Sequence, residues 1–254
     1  MKALLIAHNT FREATRDRAL AGMVGAGLAM LLVTQLATPL ALGEGTRLTV
    51  DLGLSSISLI GLLTVLLIGT SLVAKELERR TIFNLLSRPI RRSSYLVGKW
   101  LGLAAALWTV ALLLGLALCG TLALRGIHGR APVVLEATYF AGLELTVITA
   151  IAVLFSSLST PVLSALYTLA LYLVGQWSYD LRALSAKFVP PLSTITRLAA
   201  DLAPNLPLFN MRSLASEGAL AGPGHLLIAT AYAALYCGCV LCLAAAAFES
   251  KDFK

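Results

Sequence analysis

Six stretches of this sequence are apolar over lengths that reach across a bilayer, and nothing else in it restricts the fold as strongly. They run over 19–42, 54–74, 95–124, 139–158, 161–177 and 225–248. A helix needs roughly 20 apolar residues, rising 1.5 Å each, to cross a hydrocarbon layer of about 30 Å. Of the 254 residues 58% are hydrophobic and only 13% are charged. That is too little polar surface to clothe a water-soluble body of this size. The expectation is an all-α integral membrane protein with six transmembrane helices, residues 1–254 making a single membrane domain.

The net charge of +7 does not point to nucleic acid, because its placement follows topology. Lys2, Arg12, Arg16 and Arg18, then Lys75, Arg79, Arg80, Arg88, Arg91, Arg92 and Lys99, then Lys251 and Lys254 fall on one side of the predicted bundle. Arg47, Arg125, Arg130, Arg182, Lys187, Arg197 and Arg212 are spread thinly over the other. Lys and Arg gather on the cytoplasmic side, so both termini are read as cytoplasmic. The first apolar run is far longer than the ~7–15 residues of a signal core, which argues against a cleaved leader. Cys119, Cys237, Cys239 and Cys242 all fall inside predicted spans and carry no information on redox compartment.

Residues 2–18 precede the first span. Leu4, Leu5, Phe11 and Ala14 recur at near-helical spacing, while Arg12, Glu13, Arg16 and Asp17 fall largely elsewhere on the wheel. That pattern predicts a helix lying in the cytoplasmic interface with its cations toward anionic head groups. Gly43–Gly53 and Arg125–Glu136 read as outer loops, and Tyr95, Lys99 and Trp100 as a collar at the inner head groups. In Ser156-Ser-Leu-Ser-Thr-Pro161, Thr160 suits the N-cap of a helix whose first residue is Pro161, which makes spans four and five a tight inner hairpin. Segment 178–224 lies outside. Its stripe of Leu192, Ile195, Leu198, Ala199 and Leu202, fenced by Pro190-Pro191 and Pro204, predicts a short helix on or in the outer leaflet.

The connection between spans two and three is unusual. It reads Lys75-Glu-Leu-Glu-Arg-Arg-Thr-Ile-Phe-Asn-Leu-Leu-Ser-Arg-Pro-Ile-Arg-Arg92. As a helix it places Glu76, Arg79 and Arg80 on a polar face and leaves Leu77, Ile82, Leu85 and Leu86 for an apolar contact. Ser87-Arg88-Pro89 ends it, because proline disfavours helical geometry at the preceding residue. A basic cluster alone would fit lipid phosphates, but the interleaved carboxylates would be repelled by anionic lipid. Both signs together suit a protein partner whose complementary charges fix the register.

The run Glu76-x-Glu78-Arg79-x-Thr81, followed by Leu85-Leu86-Ser87-x-Pro89-Ile90-x-Arg92 and Gly98-Lys99, resembles the loop after the second span of type-two ATP-binding-cassette (ABC) permeases. Phe11-Arg-Glu-Ala-Thr-Arg-Asp-Arg18 resembles that family's amino-terminal elbow helix. One departure is Arg80, where many members have glycine. The resemblance covers essentially the whole chain. It implies an elbow helix over 1–18, carrying Phe11, Arg12, Arg16 and Arg18. It implies a cytoplasmic coupling helix over 75–92, seated in a cleft of an ATPase subunit. There Glu76, Glu78, Arg79, Arg80, Thr81, Leu85, Leu86 and Arg88 would transmit nucleotide-driven closure. It further implies an outer helical insertion over 178–224 that helps close the exit, and an exporter in the inner (cytoplasmic) membrane. Two permeases, as a homodimer or a heterodimer, would pair with two ATPases, and ATP and Mg would be bound by the partner alone.

The residues agree that energy comes from elsewhere. There is no G-x-x-x-x-G-K-[ST] loop, and Gly98-Lys99 lacks the earlier glycine and the following hydroxyl. The alternative, an ion-coupled carrier or channel, calls for several ionisable residues within spans. Glu144 alone qualifies, one to two turns below the outer end, and is the candidate substrate-path residue. A membrane-embedded enzyme is disfavoured, since His8, His128 and His225 lie at or outside span ends and no H-E-x-x-H occurs. Thiols in Cys237-Gly-Cys239-Val-Leu-Cys242 suit soft metals. Residues two apart on a helix face apart, however, and no His or acid is near, so no metal site is expected. Gly22, Gly25, Gly27, Gly98 and Gly102 permit close helix approach, as where a second copy packs. Spans rich in Leu, Ala and Val suit amphipathic cargo and plain lipid alike, and leave the substrate unassigned.

Overall fold

The structure, a computed structural model, describes residues 2–38, 44–70, 92–185, 187 and 192–249. Hydrocarbon offers no water to backbone N–H and C=O groups, so apolar runs this long satisfy them internally as helices. The elements are α1 (Lys2–Arg16), α2 (Arg18–Ala37), α3 (Gly45–Thr64, continuing through a π-helical turn at Val65–Gly69), α4 (Arg92–Leu124) and α5 (Ala131–Leu158). They continue as α6 (Pro161–Gln176), α7 (Ser178–Ser185), α8 (Leu192–Leu202), α9 (Arg212–Glu217) and α10 (Pro223–Glu249).

Among the described residues, five helices are long and apolar enough to cross a membrane: Arg18–Leu36, Gly45–Gly69, Ser93–Leu124, Ala131–Leu158 and Pro223–Phe248. Hydropathy predicts six. The remaining one, α6, is apolar but has only 16 residues, about 24 Å of helix against a layer of about 30 Å. It is followed after Trp177 by α7, where Leu181 N donates to the Trp177 carbonyl at 2.8 Å. That extension carries Asp180 and Arg182 and is not apolar.

Helix α5 is the hub, packing on α3, α4, α6 and α10. One apolar core, with Leu31, Ile57, Leu107, Leu114 and Ile148, joins α2, α3, α4 and α5. A second, with Phe140, Val147, Leu206, Phe209 and Ala233, joins α5 to α10 and to segment 206–209. A third closes the end of the bundle where α1 lies, with Tyr95 stacked on Phe248 at 6.5 Å between centroids. The opposite end carries the insertion formed by α7, α8 and α9. Leu32, Val33 and Leu36 of α2 and Leu227, Ile228, Leu235 and Leu243 of α10 are exposed, which is acceptable where the solvent is lipid.

Two boundaries move outward from the hydropathy reading. Helix α3 already begins at Gly45, so most of the supposed Gly43–Gly53 loop is helical, with Arg47 in the first turn paired to Glu44 at 3.3 Å. Helix α5 begins at Ala131 and shortens the second loop. Single charges at a helix end interrupt hydropathy without interrupting the helix, because their long side chains reach water. Thr160 does occupy the N-cap of α6 but makes no side-chain cap bond. Ser164 Oγ instead donates to the Phe155 carbonyl at 2.8 Å and lies 2.9 Å from Ser159 Oγ.

Candidate functional site

At one end of the bundle α1 lies against the first turns of α4, the helix that follows the 75–92 connection. Glycine makes this approach feasible. A Cβ on Gly98 would meet Ala3 O and Ile6 Cβ at 2.8 Å, and one on Gly102 would collide with Ala7 O and with Thr10 Cβ at 2.6 Å. The packing face of α1 is therefore Ala3, Ile6, Ala7, Thr10 and Ala14, with Thr10 and Ala14 each 1% exposed. Leu4 and Leu5 face away. Lys99, between the two glycines, is buried, with Nζ 3.6 Å from Glu13 and 5.9 Å from the Tyr95 ring centroid. It ties α4 to α1 and does not form a head-group collar.

The helix breaks at Asp17, whose Oδ1 accepts from Ala19 N at 2.9 Å and caps α2. Arg18 consequently opens α2, correcting its place in the elbow. Phe11 packs on the main core, whereas Arg12 and Arg16 are exposed. At the same end the π turn of α3 precedes Thr70, whose carbonyl accepts from Ser156 Oγ of α5 at 2.8 Å. Glu76, Glu78, Arg79, Arg80, Thr81, Leu85, Leu86 and Arg88 lie outside the described residues. The helices flanking them are nonetheless each fastened, α3 to α5 and α4 to α1. Of the first-span glycines only Gly27 meets a neighbour, Leu114, while Gly22 and Gly25 face open space. Gly98 and Gly102 receive α1 within the same chain.

At the other end Glu144 of α5 is 4% exposed. Gln176, the last residue of α6, donates from Nε2 to Glu144 Oε1, and the same nitrogen lies 3.2 Å from Tyr172 OH. The carboxyl group borders a cavity with room for about one water. Leu54 and Ser58 of α3, Ala137 and Ala141 of α5, Gln176, and the stretch Phe209–Arg212 complete its lining. Arg212 lines the same cavity.

Helix α9, which Arg212 begins, is anchored from the start of α5. Arg130 Nη1 donates to the carbonyls of Ala215 at 3.2 Å and Ser216 at 2.7 Å, a cation at the negative helix end. Gly218, at φ +84°, ends the helix in a left-handed turn against that guanidinium. Glu136 Oε2 accepts from Ala221 N at 3.0 Å. On the far side of Asn210 and Met211 lies a more open depression of about 400 Å³, bordered also by Ser213, Leu214, Leu220 and His225. Asn210 and Met211 thus border both cavities. Sequence reasoning located Glu144 but missed Gln176, Arg212, Arg130 and Glu136. Their only signal was a polar residue closing an apolar run and isolated charges in the loops.

A third cluster sits midway along α5. Trp108 Nε1 donates to Thr146 Oγ1 at 3.0 Å, and Trp100 Nε1 to the Thr146 carbonyl at 3.2 Å. Cys237 Sγ lies 3.7 Å from that same carbonyl. Cys237 is buried in the α5–α10 joint, and Cys239 and Cys242 are exposed.

The family model described as ABC-2 family transporter protein matches residues 4–253. The chain belongs to this family. No match was found among curated proteins. This ABC-2 permease is a multi-pass membrane protein and the membrane subunit of an ABC transporter, a role that implies an ABC ATPase partner.

Proposed function

We propose that this ABC-2 permease is the transmembrane half of an ATP-driven exporter in the cytoplasmic membrane. Two copies pair with two cytoplasmic ATPases, which alone bind ATP and Mg. The chain crosses the membrane six times, α6 serving as a short fifth span where the bilayer thins or neighbouring residues snorkel. Both termini, α1 and the 75–92 connection are cytoplasmic; the 178–224 insertion is outside.

The observation that carries this reading is the family match over 4–253. The docking of α1 on α4 supports a route for the mechanics. Residues 75–92 act as the coupling helix, with Glu76, Glu78, Arg79, Arg80, Thr81, Leu85, Leu86 and Arg88 at the ATPase surface. Nucleotide binding favours the closed ATPase pair, and a docked coupling helix makes the spans share that preference. A shift of the coupling helix moves α4 directly. Because Gly98 and Gly102 leave no gap beneath α1, α1 travels with α4, and α2 follows through the Asp17 junction. Glu144 stands at the outer end of the substrate path.

The test is purification of the tagged chain from its own membrane. An ABC ATPase should co-purify in equal amount, and its hydrolysis should change when the permease is present. Absence of any co-purifying ATPase contradicts the proposal.

A further inference from the structure

Just before the 75–92 connection, α3 ends in a single π-helical turn at Val65–Gly69. Such turns are rare and frequently sit at functional sites. Here Thr70 N–H reaches back five residues to the Val65 carbonyl. The Leu66 carbonyl, which that N–H would take in an α-helix, is met instead by the Thr70 hydroxyl at 2.6 Å. Inside a membrane, a side-chain hydroxyl and a π adjustment together keep an irregular backbone satisfied. Return to α geometry moves Thr70 N–H from Val65 to Leu66, and Gly69 N–H takes the Val65 carbonyl. Neither form carries the cost of a buried, unmet carbonyl there, so the turn is suited to two states.

The turn is tied to the rest of the bundle. Val65, Ile68 and Gly69 are buried, and the turn packs on α5. Thr70 is 2% exposed and Ser156 0%. Ser156 Oγ of α5 donates to the Thr70 carbonyl at 2.8 Å. One residue earlier, the Phe155 carbonyl accepts from Ser159 N at 2.9 Å and from Ser164 Oγ of α6 at 2.8 Å. Uncharged hydrogen bonds thus run from the end of α3 into the vertex where α5 turns into α6.

We propose that Thr70 and Ser156 are positioning residues for transport, which make the π turn a hinge between the 75–92 connection and the α5–α6 vertex. This rests on reading residues 75–92 as the coupling helix of an ATP-driven permease. A shift of that helix converts the turn to α geometry. Losing the extra residue from the turn rotates the chain at Thr70 by about 100° and draws it along by about 1.5 Å. The Thr70 hydroxyl sets the π form as the resting one. Ser156 grips the Thr70 carbonyl and carries the movement into α5 and α6. The connection then drives two routes, α4 with α1 on one side and α5 with α6 on the other.

The test follows the vertex with a pair of spin labels. Leu59 of α3, ahead of the π turn, and Val162 of α6, just past the vertex, are both exposed. They become labelled cysteines in a chain with Cys119, Cys237, Cys239 and Cys242 replaced by alanine, purified with its ATPase in lipid nanodiscs. Pulsed EPR reads the distance without nucleotide and with ATP held by a hydrolysis-deficient ATPase. In the parent, ATP should shift the mean distance by about 2 Å or more, the scale of one residue's rise. Thr70→Val keeps the side-chain shape but takes the hydroxyl from the Leu66 carbonyl, which favours the α form. Its nucleotide-free distance should match that of the ATP-held parent. Thr70→Ser restores the hydroxyl and should follow the parent in both states. Ser156→Ala should keep the ATPase in equal amount and lose more than half of the shift. Equal displacement in Thr70→Val and Thr70→Ser is a packing effect and overturns the hinge. If the parent shifts with ATP while Thr70→Val and Ser156→Ala behave as the parent does, the permease reading stands and the hinge falls. If ATP leaves the parent unmoved while Thr70→Val alone displaces the resting distance, the hinge stands and the ATP-driven reading falls.

Discussion

Replacing Gly102 by alanine adds one methyl group, and the structure says where it goes. The new Cβ would overlap the Ala7 carbonyl oxygen, lie 2.6 Å from Thr10 Cβ, and lie 3.0 Å from Phe11 N. Ordinary carbon contacts fall at about 3.5–4.0 Å. Two of those three neighbours are backbone atoms, so no rotamer change relieves them, and α1 has to lift from α4 as a body. Overpacking of this kind costs about 1–3 kcal/mol. The helix-forming gain of alanine over glycine, about 1 kcal/mol, cancels, because α4 remains helical whether or not α1 is docked. A docking equilibrium weakened by that amount raises the undocked population about 5- to 150-fold. Hydrogen–deuterium exchange of the amides in 2–16 measures it on the purified protein, since local opening controls their exchange. Gly22→Ala is the control, because nothing lies within 4 Å of its new Cβ. If Gly102→Ala exchanges at the parent rate while Gly22→Ala does too, the clamp reasoning is wrong.

Lys99→Met should leave α1 docked, with exchange within about fivefold of the parent, because Glu13 is half-exposed and returns to water while an apolar chain of similar length fills the buried space. Release of α1 as large as in Gly102→Ala would instead make the ion pair the fastener. Thr146→Val removes the acceptor of the Trp108 indole N–H and should lower thermal stability by about 0.5–2 kcal/mol, with a Trp108→Phe cycle showing the two effects to be coupled. Glu144→Gln should preserve assembly with the ATPase while altering cargo movement; unchanged transport in vesicles removes Glu144 from the path.

Hydropathy was a good guide to spans and a poor one to their ends. The runs at 95–124 and 225–248 coincide closely with α4 and α10 because their flanks are polar on both sides. The starts of α3 and α5 were hidden because Arg47, Asp51 and Glu136 break an apolar average without breaking a helix. The helix at Leu192–Leu202 was legible from its stripe and its flanking prolines, whereas α7 and α9 carry no long apolar pattern. Glu144 stood out as an acid inside a span. Its hydrogen-bond partner could not, since Gln176 reads as a span boundary until packing brings the two together. Gly98 and Gly102 were recognisable as close-approach positions. That the approaching helix would be α1 depends on long-range packing, which local spacing does not encode.

The central claim is that residues 75–92 form a handle gripped by the ATPase and rigidly connected to α1 through α4. It is tested most directly by reversing Glu78 and Arg79, as Glu78→Lys with Arg79→Glu, and measuring ATPase co-purification alongside exchange in 2–16. The account predicts that the ATPase is lost while α1 keeps its parent protection, because α1 is seated on α4 at Gly98 and Gly102, which the exchange leaves untouched. Full retention of the ATPase with undiminished nucleotide-driven transport would contradict it.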